Sequence, residues 1–125
     1  MHLLAIDYGT KNIGLAWVET GLGVVLPYGV IKDKNLAELA KLIKKENIDK
    51  VIVGLPYGLE KKENANTKKI KKFAEDLKNI INIPIEFEDE RFSSQAADRM
   101  GEGGASRDEK SAMIILQSYL EKINN

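Results

Sequence analysis

Residues 3–16 of the chain read LLAIDYGTKNIGLA, and the rest of the predicted sheet is built around them. Four apolar residues run directly into Asp7, a turn containing Gly9 follows, and a second apolar run begins at once. The pattern predicts two antiparallel strands, over residues 2–6 and 13–18, joined by a tight turn in which Gly9 is free to take a positive φ. It also leaves a carboxylate at the end of a buried strand, where an aspartate can form a turn, belong to a phosphate or metal site, or be half of a catalytic pair.

The rest of the chain alternates between helical and strand patterns. Apolar residues at spacings of three and four predict helices, and an unalternated apolar run is typical of a strand that is covered on both faces. In chain order, the predicted elements are a strand over 24–31, a helix over 35–46, a strand over 51–56, a helix over 64–81, a strand over 83–88, a short helix over 94–100 and a last helix that starts at Ser106.

Local residue chemistry adds detail to three of these elements. Pro27 favours an edge position or a bulge for the third strand. The alternation of apolar and acidic residues over 83–88 predicts a strand with one exposed face. Ser106 and Glu109 fit a capping box at the start of the last helix.

The order of the elements predicts an α/β fold with one mixed sheet. An initial meander followed by strand–helix alternation gives antiparallel strands first and then parallel strands with right-handed crossovers. With the first strand in the centre, the five strands take the order 3-2-1-4-5 with helices on both faces, which is the ribonuclease H-like arrangement. Ligands of open α/β sheets bind beyond the carboxyl ends of the parallel strands, so we expect the chemistry at that edge.

Length and composition limit the possible classes. The 125 residues, 43% of them apolar and 30% charged, predict one ordinary globular domain over residues 1–125. The chain has no cysteine and its single histidine is His2, which argues against disulfides, thiolate chemistry, histidine triads and zinc sites. No apolar run is long enough for a membrane span and no signal-peptide pattern is present. We therefore expect a cytoplasmic protein that does not bind membranes.

Acidic residues are predicted to converge at the carboxyl edge of the sheet. Asp7 ends the first strand, Asp89 and Glu90 end the last strand, and Asp108 lies in the first turn of the final helix. Each has an ordinary alternative: an Asx turn for Asp7, the helix macrodipole for Asp108 and a surface ion pair for Glu90. Their convergence favours a site for Mg²⁺ or Mn²⁺, and two such ions can promote phosphodiester cleavage.

Basic residues are concentrated in one segment of the chain. Residues 61–78 contain seven lysines and three acids, whereas residues 86–109 are predominantly acidic. Solvated surface is the ordinary interpretation of such runs, but a basic helix beside an acidic site also suits a bound polyanion. The candidates for contact with nucleic-acid phosphates are Lys11, Lys61, Lys62, Lys68, Lys69, Lys71, Lys72, Ser93 and Ser94.

Four sequence blocks, DYGTKNIGLA, VIVGLPYGLE, DERFSSQAA and DEKSAMIILQSYL, resemble the YqgF family in order and spacing. This is the family of pre-16S rRNA nucleases, also described as RuvX-type Holliday junction resolvases. The resemblance implies a ribonuclease H-like fold, metal-dependent hydrolysis of phosphodiester bonds, and processing of the 5′ end of precursor 16S rRNA in the cytoplasm.

Matching positions imply specific roles for residues of the four blocks. The catalytic and metal-binding acids are Asp7, Glu90 and Asp108, with two Mg²⁺ or Mn²⁺ ions as cofactors. Arg91, Ser93 and Ser94 belong to the DERFSS block and are substrate-binding candidates. Lys11, Lys61 and Lys62 are candidates because of their charge and their position along the chain, not because they match the family. Whether Asp89 or Glu60 adds a further ligand stays open. The chain departs from the family pattern at Asn12, where a basic residue is common, and at Glu60 and Lys61, where Asp-Gly is common.

Other functions fit parts of the same pattern. A resolvase of four-way DNA junctions needs two active sites on a symmetric particle, so the chain is predicted to be a monomer or a homodimer that binds structured RNA or branched DNA. A non-catalytic RNA-binding assembly factor would use the same edge without cleavage. The D-x-G-T turn of nucleotide-binding phosphotransferases works between two domains, whereas this chain has the length of one.

Overall fold

A computed structural model of the protein describes residues 1–55, 65–89 and 104–123. Over these residues, no helix combines the length and apolar character needed to cross a membrane, and the short helix predicted over 94–100 lies outside them. The strands are β1 (His2–Tyr8), β2 (Ile13–Glu19), β3 (Leu26–Ile31), β4 (Lys50–Leu55) and β5 (Ile85–Asp89). The helices are α1 (Leu36–Lys45), α2 (Ala65–Lys78), α3 (Arg107–Ile123) and a 3-10 helix at Lys32–Lys34.

The strands form one mixed sheet in the order β3-β2-β1-β4-β5. β2 pairs antiparallel with both β1 and β3, whereas β4 runs parallel to β1 and β5 runs parallel to β4. β1 takes the central position because its residues are apolar on both sides, so that it can be buried on both faces. The predicted five-stranded mixed sheet is confirmed.

Each face of the sheet has its own hydrophobic core. Alternate residues of β1 contribute to one core and then to the other, since successive strand residues point to opposite faces of the sheet. One core joins the sheet to α1 and α2 and includes Leu4, Ile6, Val51, Val53, Leu55, Leu39, Ile43, Ile70 and Leu77. The other joins the sheet to α3 and includes Leu3, Ala5, Ala16, Ile52, Ala112, Ile115 and Leu116. The prediction of helices on both faces is therefore confirmed.

β3 is an edge strand of the described sheet and carries a bulge. Gly29 lies opposite Leu15 and Pro27 lies opposite Ala16, so that Tyr28 is the extra residue. Gly29 has a φ of 115°, a backbone conformation that residues other than glycine rarely adopt. Pro27 is tolerated because an edge strand need not donate every backbone N–H to a neighbour. The sequence-based prediction for Pro27, an edge or a bulge, is confirmed on both counts.

Polar contacts fix the C-terminal half of α3 to the edge strand β5. The Tyr119 hydroxyl donates to Glu86, and Lys50 donates to the Tyr119 hydroxyl at 3.2 Å and pairs with Glu86 at the same distance. Lys122 Nζ lies 2.7 Å from Oε1 of Glu88, which is only 4% exposed. A buried carboxylate without a partner would be costly, so Lys122 both neutralises Glu88 and holds α3 against the sheet.

We predict that the Glu86 contacts stabilise the fold only above the acidic range. The hydrogen bond from Tyr119 and the nearby Lys50 ammonium lower the pKa of Glu86. A carboxylate whose pKa is lower in the folded chain contributes stability above its unfolded pKa and loses it as the pH falls through the folded pKa. Because the Glu86 side chain is 46% exposed, Glu86→Gln should lower the free energy of unfolding by only about 0.5 kcal/mol near pH 7.

Urea unfolding at about pH 7 and about pH 3 measures this difference, which should be smaller at the lower pH because the ionic contact weakens as the pH falls towards the lowered pKa of Glu86. Asp76→Asn is the matched control, since it removes an ion pair with Lys72 within one exposed helix face. If Glu86→Gln lowered the free energy of unfolding by the same amount at both pH values, the contact would not be ionic.

Candidate active site

Asp7 lies near the carboxyl end of the central strand and on the α3 face of the sheet. Leu3 and Ala5 both belong to the core under α3, and Asp7 follows them at the two-residue period of a strand. The residue of β2 that pairs with Asp7 is Gly14. The strand is buried on either side up to Ile6, so the half-buried Asp7 is held on a rigid support.

Asp108 is held by the capped start of α3. The Ser106 hydroxyl accepts from the Glu109 N–H at 3.2 Å, and the Glu109 carboxylate accepts from the Ser106 N–H at 2.9 Å. The predicted capping box is thus confirmed. It fixes where the helix begins and places Asp108 in the first turn, where the helix macrodipole favours negative charge.

Gly14 brings the two aspartates together. A β-carbon placed on Gly14 would lie 2.1 Å from the main-chain oxygen of Asp108 and 2.9 Å from its β-carbon, so only glycine lets the first turn of α3 rest on β2. A β-carbon placed on Gly9 would lie 3.9 Å from Oδ1 of Asp108. The Asp108 carboxylate therefore faces the turn after β1. The backbone of Asp108 lies over Gly14, the residue that pairs with Asp7.

The turn between β1 and β2 is tight, but not for the predicted reason. The Gly9 N–H donates to the Asn12 carbonyl at 3.0 Å, and Gly9 does not have the positive φ that the sequence suggested. Glycine is needed for space instead, because a β-carbon there would lie 2.7 Å from the Asn12 oxygen. Lys11 is exposed in this turn, and the Asn12 side chain accepts from the Asp33 N–H at 3.2 Å.

The acidic end of β5 differs from the prediction of an exposed acidic face. Glu88 is buried under α3, whereas the apolar Phe87 is 40% exposed. The reason lies far along the chain, because Lys122 supplies the charge that allows Glu88 to be buried. From the sequence we did not place Glu88 on the α3 face of the sheet. The available signal was its spacing of two residues from Glu86, which puts both side chains on the same face of β5.

Neither acid at the end of β5 completes the pair of aspartates. Asp89 pairs with Leu55, a residue of the core under α1 and α2, so its register position is on the face opposite Asp7. Glu88 pairs with Gly54 and shares the face of Asp7, but it lies two strands away, about 10 Å. No group of three metal-ligating side chains occurs in the described part of the chain.

Several predicted site residues lie outside the described residues. The structure therefore brings together two of the three predicted catalytic acids, Asp7 and Asp108, and places Lys11 in the adjoining turn. The catalytic role of all three acids stays a prediction. The residues outside the described ranges are Glu60, Lys61, Lys62, Glu90, Arg91, Ser93 and Ser94.

Comparison with known sequences identifies relatives along the whole chain. A family model described as "RuvX: Holliday junction resolvase" matches residues 1–122. A protein of Dictyoglomus turgidum is 39% identical over 137 residues, with 99% of this chain and 96% of the relative covered. A protein of Maridesulfovibrio salexigens is 33% identical over 134 residues, covering 98% and 99% of the two chains. Both are named "Putative pre-16S rRNA nuclease".

Comparison with solved structures identifies the fold. RuvC of T. thermophilus in complex with a Holliday junction substrate aligns with a TM-score of 0.71 at 14% identity, covering 99% of this chain and 96% of RuvC. A second T. thermophilus RuvC structure aligns with a TM-score of 0.61, also at 14% identity, covering 98% and 96%. At this identity the likeness shows the fold alone, and it confirms the ribonuclease H-like arrangement. Together with the family match over residues 1–122, it shows that the chain belongs to the RuvX (YqgF) family of nucleases, hydrolases that act on phosphodiester bonds.

Proposed function

We propose that the protein is a metal-dependent nuclease that processes the 5′ end of precursor 16S rRNA in the cytoplasm, as a single domain over residues 1–125. The observation that carries this proposal is the placement of Asp108 over Gly14, the strand partner of Asp7. The names of the D. turgidum and M. salexigens relatives supply the substrate class.

The donor chemistry of the site fits a hard divalent cation. Asp7 and Asp108 offer only carboxylate oxygens, the ligands that Mg²⁺ and Mn²⁺ prefer, and both are half-buried. The chain has no cysteine, and His2 begins β1 whereas Asp7 lies near its other end. We propose that these aspartates and Glu90 hold two such ions. A bound divalent ion supplies Lewis acidity toward a phosphate oxygen and lowers the pKa of a coordinated water.

The residues of the chain provide position and charge. Asp7 is fixed by the central strand and Asp108 by the capping box, so neither carboxylate depends on a loop for its orientation. Two carboxylates on one small surface repel each other unless positive charge is bound between them. Lys11 is exposed in the turn directly after β1, and we propose that it contacts a substrate phosphate beside them.

A junction resolvase is the second candidate function. It is favoured by the description of the matching family model. Cleavage of the two opposed strands of a four-way junction requires two sites related by symmetry, hence a homodimer. A non-catalytic RNA-binding factor would use the same surface, but its activity would not depend on the charge of Asp7 or Asp108.

We expect cleavage to require Mg²⁺ or Mn²⁺ and to stop in EDTA. Asp7→Asn and Asp108→Asn should each reduce the cleavage rate by several orders of magnitude, because each removes a charged ligand from the site. The variants should remain folded, since removing one carboxylate relieves repulsion. Single-turnover cleavage of a labelled substrate and thermal unfolding measure the two effects.

Asp49→Asn is the matched control for these variants. Asp49 accepts from the His2 N–H at 2.7 Å, at the edge of the sheet opposite the site, and asparagine keeps an acceptor oxygen there. Its cleavage rate should stay within about threefold of the wild type. If Asp7→Asn cleaved as fast as Asp49→Asn, the catalytic proposal would be wrong.

The substrate is tested by offering precursor 16S rRNA with its 5′ extension and a four-way DNA junction side by side to the same preparations. The proposal expects metal-dependent cleavage of the rRNA that Asp7→Asn abolishes. Cleavage of the junction alone, together with a dimer in sedimentation analysis, would favour the resolvase function instead.

Gly14→Ala should displace Asp108. The added methyl group would overlap the Asp108 backbone, which cannot move independently of α3. We expect destabilisation of about 1–3 kcal/mol and a loss of cleavage at temperatures where the variant is still folded. Gly21→Ala is the control, because the atoms nearest to its methyl group would be those of the Glu19 carboxylate, at 2.7 Å, which lies at the end of a flexible side chain. Full activity of a folded Gly14→Ala variant would contradict the proposed arrangement.

A further inference from the structure

A groove lies at the same edge of the sheet as Asp7, on the other face. It has a volume of about 310 Å³ and is lined by residues of β1, the 3-10 helix, the start of α1, and α2. We call it the Tyr8 groove. Its floor contains the rings of Tyr8 and Phe73, with centroids 4.6 Å apart and planes tilted by 40°. Tyr8 directly follows Asp7, and successive strand residues point to opposite faces.

The rim of the Tyr8 groove is basic. Lys34, Lys69 and Lys72 line it, and Asp76, the one acid among the described residues of the lining, pairs with Lys72 at 3.1 Å. Lys34 Nζ lies 4.0 Å from the centroid of the Tyr8 ring, a cation–π contact. The groove therefore combines an excess of positive charge with aromatic surface, whereas the opposite face of the same strand end presents carboxylates.

The backbone that carries Lys34 is strained. Asp33 and Lys34 have φ values of 56° and 52°, in the left-handed region that residues other than glycine, asparagine and aspartate seldom occupy. Asn12 supports this conformation, because its side-chain oxygen accepts from the Asp33 N–H at 3.2 Å. Strain of this kind persists where the surroundings enforce it and is concentrated at functional sites. Here it holds an ammonium group over Tyr8, beside the end of β1.

From this combination we infer that the Tyr8 groove binds the substrate strand next to the scissile phosphate, with Lys34, Lys69 and Lys72 contacting its phosphates. A strand that passes over the end of β1 would meet the carboxylates of one face and the lysines of the other. The inference rests on the proposed function for the position of the scissile phosphate, but strand binding by the groove is measurable without cleavage. Asn12 acts as a positioning residue for Lys34.

The test is binding of a fluorescein-labelled twelve-nucleotide oligouridylate in EDTA, followed by anisotropy between about 50 and 200 mM salt. A variant with Lys34, Lys69 and Lys72 changed to Gln should bind more than tenfold more weakly at low salt. Its slope of log affinity against log salt should fall by about 2, because each phosphate contact on a single strand contributes about 0.7.

The matched control removes the same charge elsewhere. Lys41, Lys45 and Lys78 are exposed on α1 and α2, and the variant with all three changed to Gln should change the slope by less than about 0.7, one contact. Equal effects of the two triple variants would mean that only net charge matters and would overturn the inference. So would displacement of the labelled strand by uridine monophosphate at equal concentration, which would indicate a mononucleotide site.

Single variants separate the groove from folding and from the nuclease activity. If the triple variant does not fold, Lys34→Gln and Lys69→Gln alone should each lower the slope by about 0.7. Asn12→Ala should reproduce the effect of Lys34→Gln and add nothing to it in the double variant. Asp7→Asn should keep the lysine-dependent binding in EDTA. Lysine-dependent binding without cleavage would therefore refute only the nuclease proposal. Cleavage without lysine-dependent binding would refute only the inference that the Tyr8 groove binds the substrate strand.

Discussion

The first turn of α3 rests directly on the backbone of β2 at Gly14, and the acidic site depends on this contact. Any larger residue would push the helix away, since a β-carbon there would lie 2.1 Å from the Asp108 oxygen. Gly14 in turn pairs with Asp7 on the central strand. Because Gly14 has no side chain, a helix that begins at Arg107, 93 residues later in the chain, can bring its Asp108 carboxylate to the end of β1.

Local chemistry made much of this arrangement predictable. The apolar runs around Asp7 imply a strand buried on both faces, which places β1 in the centre of the sheet and fixes the strand order. The Ser106–Glu109 capping box fixes the start of α3, and its reciprocal hydrogen bonds are present. Asp7 and Asp108 could be expected at one edge because strand ends and helix starts are both encoded by nearby residues. Membership of the RuvX family confirms the resemblance carried by the four sequence blocks.

Other features depend on contacts between distant parts of the chain and could not be predicted locally. The burial of Glu88 requires Lys122, 34 residues away, so alternation alone wrongly predicted that Glu88 would be exposed. Gly9 looked like a residue chosen for positive φ, but the constraint is the nearby Asn12 oxygen. The left-handed conformation of Lys34 has no sequence signal at all, since lysine disfavours it and the supporting Asn12 side chain belongs to another turn.

The bulge in β3 has a consequence for solubility. An edge strand exposes backbone groups that can pair with another molecule, and this hazard increases where the surrounding side chains are apolar. Leu22 and Val24, just before β3 in the chain, and Leu26, its first residue, are all exposed. Pro27 removes a donor from the edge, and the bulge at Tyr28 and Gly29 interrupts its regular spacing. These two irregularities of β3 thereby protect the protein against edge-to-edge aggregation.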